Sequence, residues 1–204
     1  MANKGFLNSS SDSFSVRIPG SAEMVLAIGR GDWRDVGHAT INTQSFKSKE
    51  AVPTLHGSIY LERPDVGAIV VSSPKGARLL AGIGGILPPL FDEQVRHIGL
   101  SMTHLAEDPL TRERIHKAFR RGANAALLRE RLLCLGMTCE RAIFNTELFE
   151  KCAQAYVIAK ASGSPSGVIP AWVRLIANRR LLKDECNAAA RYLNGQLPEN
   201  NTTY

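Results

Sequence analysis

The chain has 204 residues, 44% apolar and 22% charged, which suits one ordinary domain and excludes collagen-like and disordered classes. Its 25 Lys and Arg against 19 Asp and Glu leave a net charge of +6, with no nucleic-acid-binding module or interleaved aromatics, so a solvated Arg-rich surface is expected. No apolar run approaches the ~18–20 residues of a membrane span, and the first residues lack a signal architecture, so a soluble cytoplasmic protein is expected.

In chain order, Ser13–Ile18 alternates and stops at Pro19-Gly20. Met24–Ile28 is a second short apolar run, and the two suggest a hairpin. Residues 36–50 are polar and at best weakly strand-like. From Pro53, Leu55, Ile59 and Tyr60 fall on one helical face, and the helix ends before Arg63-Pro64-Asp65. Val66–Val71 is uninterrupted and β-branched, the mark of a strand covered on both faces. Pro74–Gly82 reads as a helix and Val95–Met102 as a strand. A polar loop then runs through Pro109, and Thr111–Arg121 is a basic helix. Ala125–Leu135 is the next strand, interrupted by Arg129, Glu130 and Arg131. Thr138 is an N-cap candidate for a long helix to about Ala161, with Ala142, Asn145, Phe149, Cys152 and Tyr156 on its inner stripe. After a link at Ser162–Gly167, Pro170–Leu193 forms a last amphipathic helix whose apolar residues are Trp172, Leu175, Ile176 and Leu182. The pattern is mixed α/β.

Residues 55–71, LHGSIYLERPDVGAIVV, resemble the class II aldolase/adducin family. The phrase joins a helix, an Arg-Pro-Asp turn and a buried strand in that family's order. Gly5 to Arg17, Leu87-Pro-Pro-Leu, the run Gly122 to Arg129, and Gly136-x-Thr-x-Glu-x-Ala142 match further landmarks. The resemblance covers about residues 5–161. It implies a three-layer α/β fold, a central mainly antiparallel β-sheet flanked by helices. Residues 1–161 then form the domain, and residues 162–204 supply a linker, helix and tail packed on it. The family's helix before the first landmark has no counterpart here, so an apolar groove is expected where it would lie.

The resemblance further implies a homotetramer with sites at subunit interfaces, a zinc ion on three histidines, and a glutamate as acid/base. Such a metal polarises a carbonyl or stabilises an enediolate as a carbon–carbon bond breaks. The chemistry is missing from the matching positions. The family's His-x-His-Pro becomes Val71-Ser72-Ser73-Pro74, and the third histidine falls at or near Arg131. Valine has no lone pair, and a guanidinium stays protonated. The acid/base glutamate falls at Val52. The phosphate cradle maps to Asp12-Ser13, Ile28-Gly29 and Glu50-Ala51. A carboxylate within ~4 Å of a phosphate costs about 1–4 kcal/mol per charge pair.

Among the other candidates, His56 is expected to pack or hydrogen-bond structurally. His97 and His104 lack the further ligands a metal needs. Asp92-Glu93 suits the start of a helix, and Ser72-Ser73-Pro74 with Lys75 a turn more than a nucleophile. The four cysteines show no metal spacing. The sequence therefore predicts a family member without zinc or acid/base groups, acting as an oligomeric scaffold, alone or with an active paralogue. The alternative is a metal-independent lyase, decarboxylase or isomerase on a non-phosphorylated acid, with Arg131, Ser72 and Ser73 as its candidates. A third reading is anion or nucleic-acid binding by the basic C-terminal half.

Overall fold

The structure is a computed structural model that describes residues 6–7, 9–29, 40–47, 54–105, 111–120, 122–163 and 167–199. Strands β1 (Ser13–Arg17), β2 (Glu23–Ile28) and β3 (Thr40–Ser45) form an antiparallel meander. Helix α1 (Leu55–Glu62) leads into β4 (Ala68–Ser72), followed by α2 (Lys75–Gly82), α3 (Asp92–His97) and β5 (Thr103–Leu105). Then come α4 (Arg112–Phe119), β6 (Ala125–Leu128), β7 (Arg131–Gly136), α5 (Cys139–Ala161) and α6 (Ala171–Leu193).

One seven-stranded sheet results, in the order β3-β2-β1-β4-β7-β6-β5. Among the described strands the β5–β6 pair is parallel and the others are antiparallel. The central β4 is buried along its whole length, and its side chains alternate between two cores. Ala68 and Val70 join Leu80 of α2 and Phe149 of α5 on one face. Ile69 and Val71 join Ile59 of α1 and Ile115 of α4 on the other. This two-sided burial is why the strand reads as continuous apolar sequence rather than as an alternating one.

Threonine caps set three helix starts. Thr54, Thr111 and Thr138 accept hydrogen bonds from the backbone N–H of Gly57, Arg114 and Arg141 respectively. Gly136 explains the spacing of its motif. A Cβ there would lie 2.2 Å from the Ala142 nitrogen, so β7 can cross the first turn of α5 only as glycine. The small residue at 142, fully buried, completes that close approach.

Three expectations need correction. Val95–Met102 is not a strand. Residues 92–97 form α3, where Asp92 and Glu93 sit at the positive end and Arg96 and His97 at the negative end. The Gln94 side chain fixes that turn by bonding the Leu90 N–H and the Pro88 carbonyl. The true strand, β5, lies within the expected loop. Ala125–Leu135 is two strands, because Leu128 pairs directly with Arg131 across a two-residue turn at Arg129-Glu130. Arg129 takes φ 55° to close it. Residues 40–45, read as at best weakly strand-like, form the edge strand β3, whose backbone pairs with β2 although its side chains are mostly exposed.

Helix α6 packs against α3 and is fastened to the domain by side-chain ties. Arg96 bonds Asp184 at 2.5 Å, Tyr192 donates to the Met137 carbonyl, and Glu185 accepts from Arg63 at 2.9 Å. Its buried face carries Ala177, Leu181, Ala188 and Tyr192, whereas Trp172, Leu175 and Ile176 remain exposed.

Candidate functional site

The antiparallel register brings the start of β1, the end of β4 and the start of β7 together. Ser13 pairs with Val71, and Ser72 with Leu132, which places Arg131 beside Ser72-Ser73. Asp12 is fully buried there. Its Oδ2 accepts from the Ser9 N–H at 2.8 Å, and its Oδ1 accepts from the Ser73 hydroxyl at 3.1 Å. Arg131 donates through Nη2 to the Ser11 carbonyl, while its Nε is buried without a partner. Burial lowers the Arg131 pKa, and the Asp12 carboxylate opposes that shift by favouring the charged guanidinium.

Ser72 and Ser73 do not act together, because successive strand residues face opposite ways. Ser73 shares the Asp12 side. Ser72 follows the parity of Val70, and its hydroxyl is buried without a partner. Val71 is packed into the apolar cluster with Ile59, Val66 and Leu133. Val52 and Glu50 lie outside the described residues.

The landmark residues of β1 and α1 form one hydrogen-bonded ladder. Two strand residues advance about 6.6 Å and four helical residues about 6 Å, so a strand triplet at 13, 15 and 17 can track a helix pair at 56 and 60. Ser13 and Ser15 flank the His56 ring at 2.8 Å (Nε2) and 2.6 Å (Nδ1), and Ser15 also meets the Tyr60 hydroxyl at 2.9 Å. Arg17 lies over the rings of Tyr60, Phe46 and Tyr192, with centroids 4.9, 5.1 and 5.5 Å away, and donates to the Tyr60 and Arg63 carbonyls. A neutral imidazole satisfies both serines, donating from one nitrogen and accepting at the other. Burial, and secondarily the Arg131 charge, pushes the His56 pKa down to about 4. The structural role expected for His56 is what its partners give it.

A depressed histidine pKa contributes stability above its unfolded value near 6.5 that is lost as pH falls toward 4. Replacing Arg131 by Ala removes one of the two causes. The His56 titration should then move up from about 4 while burial keeps it below 6.5, as followed by NMR of the imidazole C–H resonances. An unchanged midpoint would show that the guanidinium does not face this ring.

The remaining candidates disperse. His97 accepts at Nδ1 from Arg141 at 2.8 Å, and burial with Arg141 and Arg96 holds its pKa down at about 3. His104 is exposed, with Nε2 3.1 Å from the Arg129 carbonyl. Cys134 and Cys152 are buried with pKa values raised to about 12, chiefly by burial. Among the described residues no three His, Cys, Asp or Glu side chains are grouped to hold a metal ion, and no helix is long and apolar enough to cross a membrane.

The family model described as Class II Aldolase and Adducin N-terminal domain matches residues 13–157, well over half the chain. This protein belongs to the class II aldolase and adducin family. Its fold agrees: a solved L-fuculose 1-phosphate aldolase superposes with TM-score 0.68 at 21% identity, covering 88% of this chain and 87% of that one. An aldolase II superfamily protein from Pseudomonas syringae gives 0.65 at 18%, covering 97% and 90%. The L-fuculose 1-phosphate aldolase from Glaciozyma antarctica gives 0.66 at 18%, covering 95% and 82%. No curated protein matches the sequence. At these identities the structures establish the fold alone.

The zinc implied by the family resemblance does not fit the donor set at the matching positions. Val71 offers no lone pair, Arg131 is a fixed cation already bonded to Ser11, and the neutral Ser73 hydroxyl, which donates to Asp12, is a poor substitute for an imidazole. Both ring nitrogens of the neighbouring His56 are taken by serines. In this arrangement Arg131 is bonded to a backbone carbonyl, and the nearby Asp12 carboxylate is held by the Ser9 N–H and the Ser73 hydroxyl.

Proposed function

We propose that this chain is a non-catalytic member of its family, an oligomeric scaffold or interaction protein that keeps the aldolase framework without the zinc-dependent chemistry. One observation carries this reading. The position that the resemblance assigns to the third histidine carries Arg131, which bonds the Ser11 carbonyl near Asp12 and Ser73. A guanidinium brings positive charge but has no vacant orbital with which to polarise a carbonyl. Its partners are further copies of this chain, as a homotetramer, or an active paralogue, and its setting is the cytoplasm.

The competing reading makes Arg131 the anchor for a carboxylate substrate of a metal-independent lyase, decarboxylase or isomerase. The fully buried Asp12 speaks against it, because an entering carboxylate would be repelled by the like charge whose field already acts on the guanidinium.

Elemental analysis of purified protein, together with an aldol-cleavage assay on L-fuculose 1-phosphate, tests the proposal. The expected result is zinc well below one ion per chain and no turnover with zinc added. Stoichiometric zinc accompanied by cleavage would reject it.

A further inference from the structure

Arg63 and Arg17 are both buried beside α1, and the fold treats them differently. Arg63 meets the carboxylates of Asp65 and Glu185. Arg17 is only 9% exposed, yet among the described residues no carboxylate lies within ion-pair distance of it. Its hydrogen bonds leave from Nη2, to the Tyr60 and Arg63 carbonyls, and its Nε is buried without a partner. The rings of Tyr60, Phe46 and Tyr192 around it offer negative faces but no net charge. Asp65 favours the charged guanidinium through its field, but both of its oxygens are gripped by Arg63. Buried charges are ordinarily paired, and the described part of this chain gives Arg17 no counter-charge of its own.

Arg17 and its three rings also line a cavity of about 310 Å³, at the lower end of the range for small-molecule sites. Leu61, Leu193 and Lys47 form its exposed rim, and no Asp or Glu lines it. The hydroxyls in its wall are engaged elsewhere: Tyr60 with Ser15, Tyr192 with the Met137 carbonyl, and Ser21 with the Ile18 carbonyl. The guanidinium within and the Lys47 ammonium at the mouth are the charged groups that a ligand would meet. We propose that this cavity binds a small aromatic carboxylate, its anionic end paired with Arg17 and its ring against the apolar wall of Leu61, Pro64 and Leu193. A guanidinium recognises a planar carboxylate through parallel N–H donors, and the apolar wall supplies the rest of the contact. The cavity lies at the far end of β1 from Arg131. Four strand residues, about 13 Å, separate Arg17 from Ser13, which pairs with Val71. Binding here is independent of assembly and of whatever the Arg131 end of the sheet does.

Two-dimensional NMR of the isotope-labelled full chain, titrated with phenylacetate, tests the site. Saturable shifts of the Arg17 Nε–H and of the Ser21, Ala22 and Lys47 amides are expected, with a dissociation constant of about 1 mM for a ligand of this size. Neutral phenylacetamide should bind at least about tenfold more weakly, since it cannot answer the charge. Arg17→Met should abolish binding. Lys47→Glu alters an exposed side chain, so it serves as the check if Arg17→Met unfolds: it should weaken phenylacetate about threefold with the melting temperature unchanged. Equal binding of acid and amide, shifts confined to the residues around Arg131, or no saturable shift at all would overturn the proposal. Inorganic phosphate that moves the same resonances as strongly as phenylacetate would reduce the cavity to a bare anion site and overturn the aromatic assignment.

Discussion

Replacing Arg63 by Ala should cost about 3–5 kcal/mol of stability, a large part of the ~5–15 kcal/mol that holds a typical domain folded. Arg63 is buried and uses all of its N–H donors. Nε and Nη2 grip both oxygens of Asp65 at 2.8 and 2.7 Å, and Nη1 bonds the Phe119 and Ala123 carbonyls. Nη2 also reaches Asn124 and Glu185, each at 2.9 Å. One side chain thereby ties the turn after α1 to the end of α4, the start of β6 and the middle of α6. Truncation leaves two buried carboxylates with no counter-charge. Glu185 is already the more strained of the pair, because burial raises its pKa and Asp65 adds to that rise while Arg63 opposes it. Arg63→Lys should recover only part of the loss, since an ammonium cannot fork across both Asp65 oxygens. Urea unfolding measures both variants, and an Ala variant within 1 kcal/mol of wild type would show that the network is not a structural tie.

Gly136→Ala should be comparably severe, at about 3 kcal/mol or more. The added methyl would sit 2.2 Å from the Ala142 nitrogen, 2.6 Å from its Cα and 2.8 Å from the Arg141 carbonyl carbon. All three are backbone atoms of the first turn of α5, so no rotamer change relieves the contact. Either β7 or the helix start must move. Gly136 also pairs with Ala68 and accepts the Gly67 N–H at 2.9 Å, which pins the strand on its other side. Thermal unfolding should show the drop. Gly163→Ala is the contrasting case: it lies in open space, and its cost should reflect only its φ of +70°.

Several features of this protein were fixed by local pattern. The Thr138 cap and the inner stripe of α5, the two-sided burial of β4, and the helix–turn–strand phrase at residues 55–71 each follow from nearest-neighbour chemistry: a capping hydroxyl, a helical period, an unbroken β-branched run. Local pattern also sufficed to place the chain in its family and to mark Val71, Ser73 and Arg131 as the positions to inspect.

Competing local signals and long-range packing decided the rest. Residues 92–97 are helical because charges at the two ends suit the helix dipole and Gln94 closes its start, a balance that β-branched Val95 does not reveal. The run from Ala125 splits into a hairpin because Arg129 accepts a left-handed conformation, and only that turn carries Arg131 back beside Ser73 and Asp12. Asp12 and Arg131 are separated by 118 intervening residues, so no periodicity links them. The inward stripe of α6 combines buried Ala177, Leu181, Ala188 and Tyr192 with Glu185 and Asp184, the carboxylate partners of Arg63 and Arg96. The inward side thus buries an apolar stripe of its own and at the same time brings Glu185 to the buried Arg63, so the second apolar stripe is the one left in solvent.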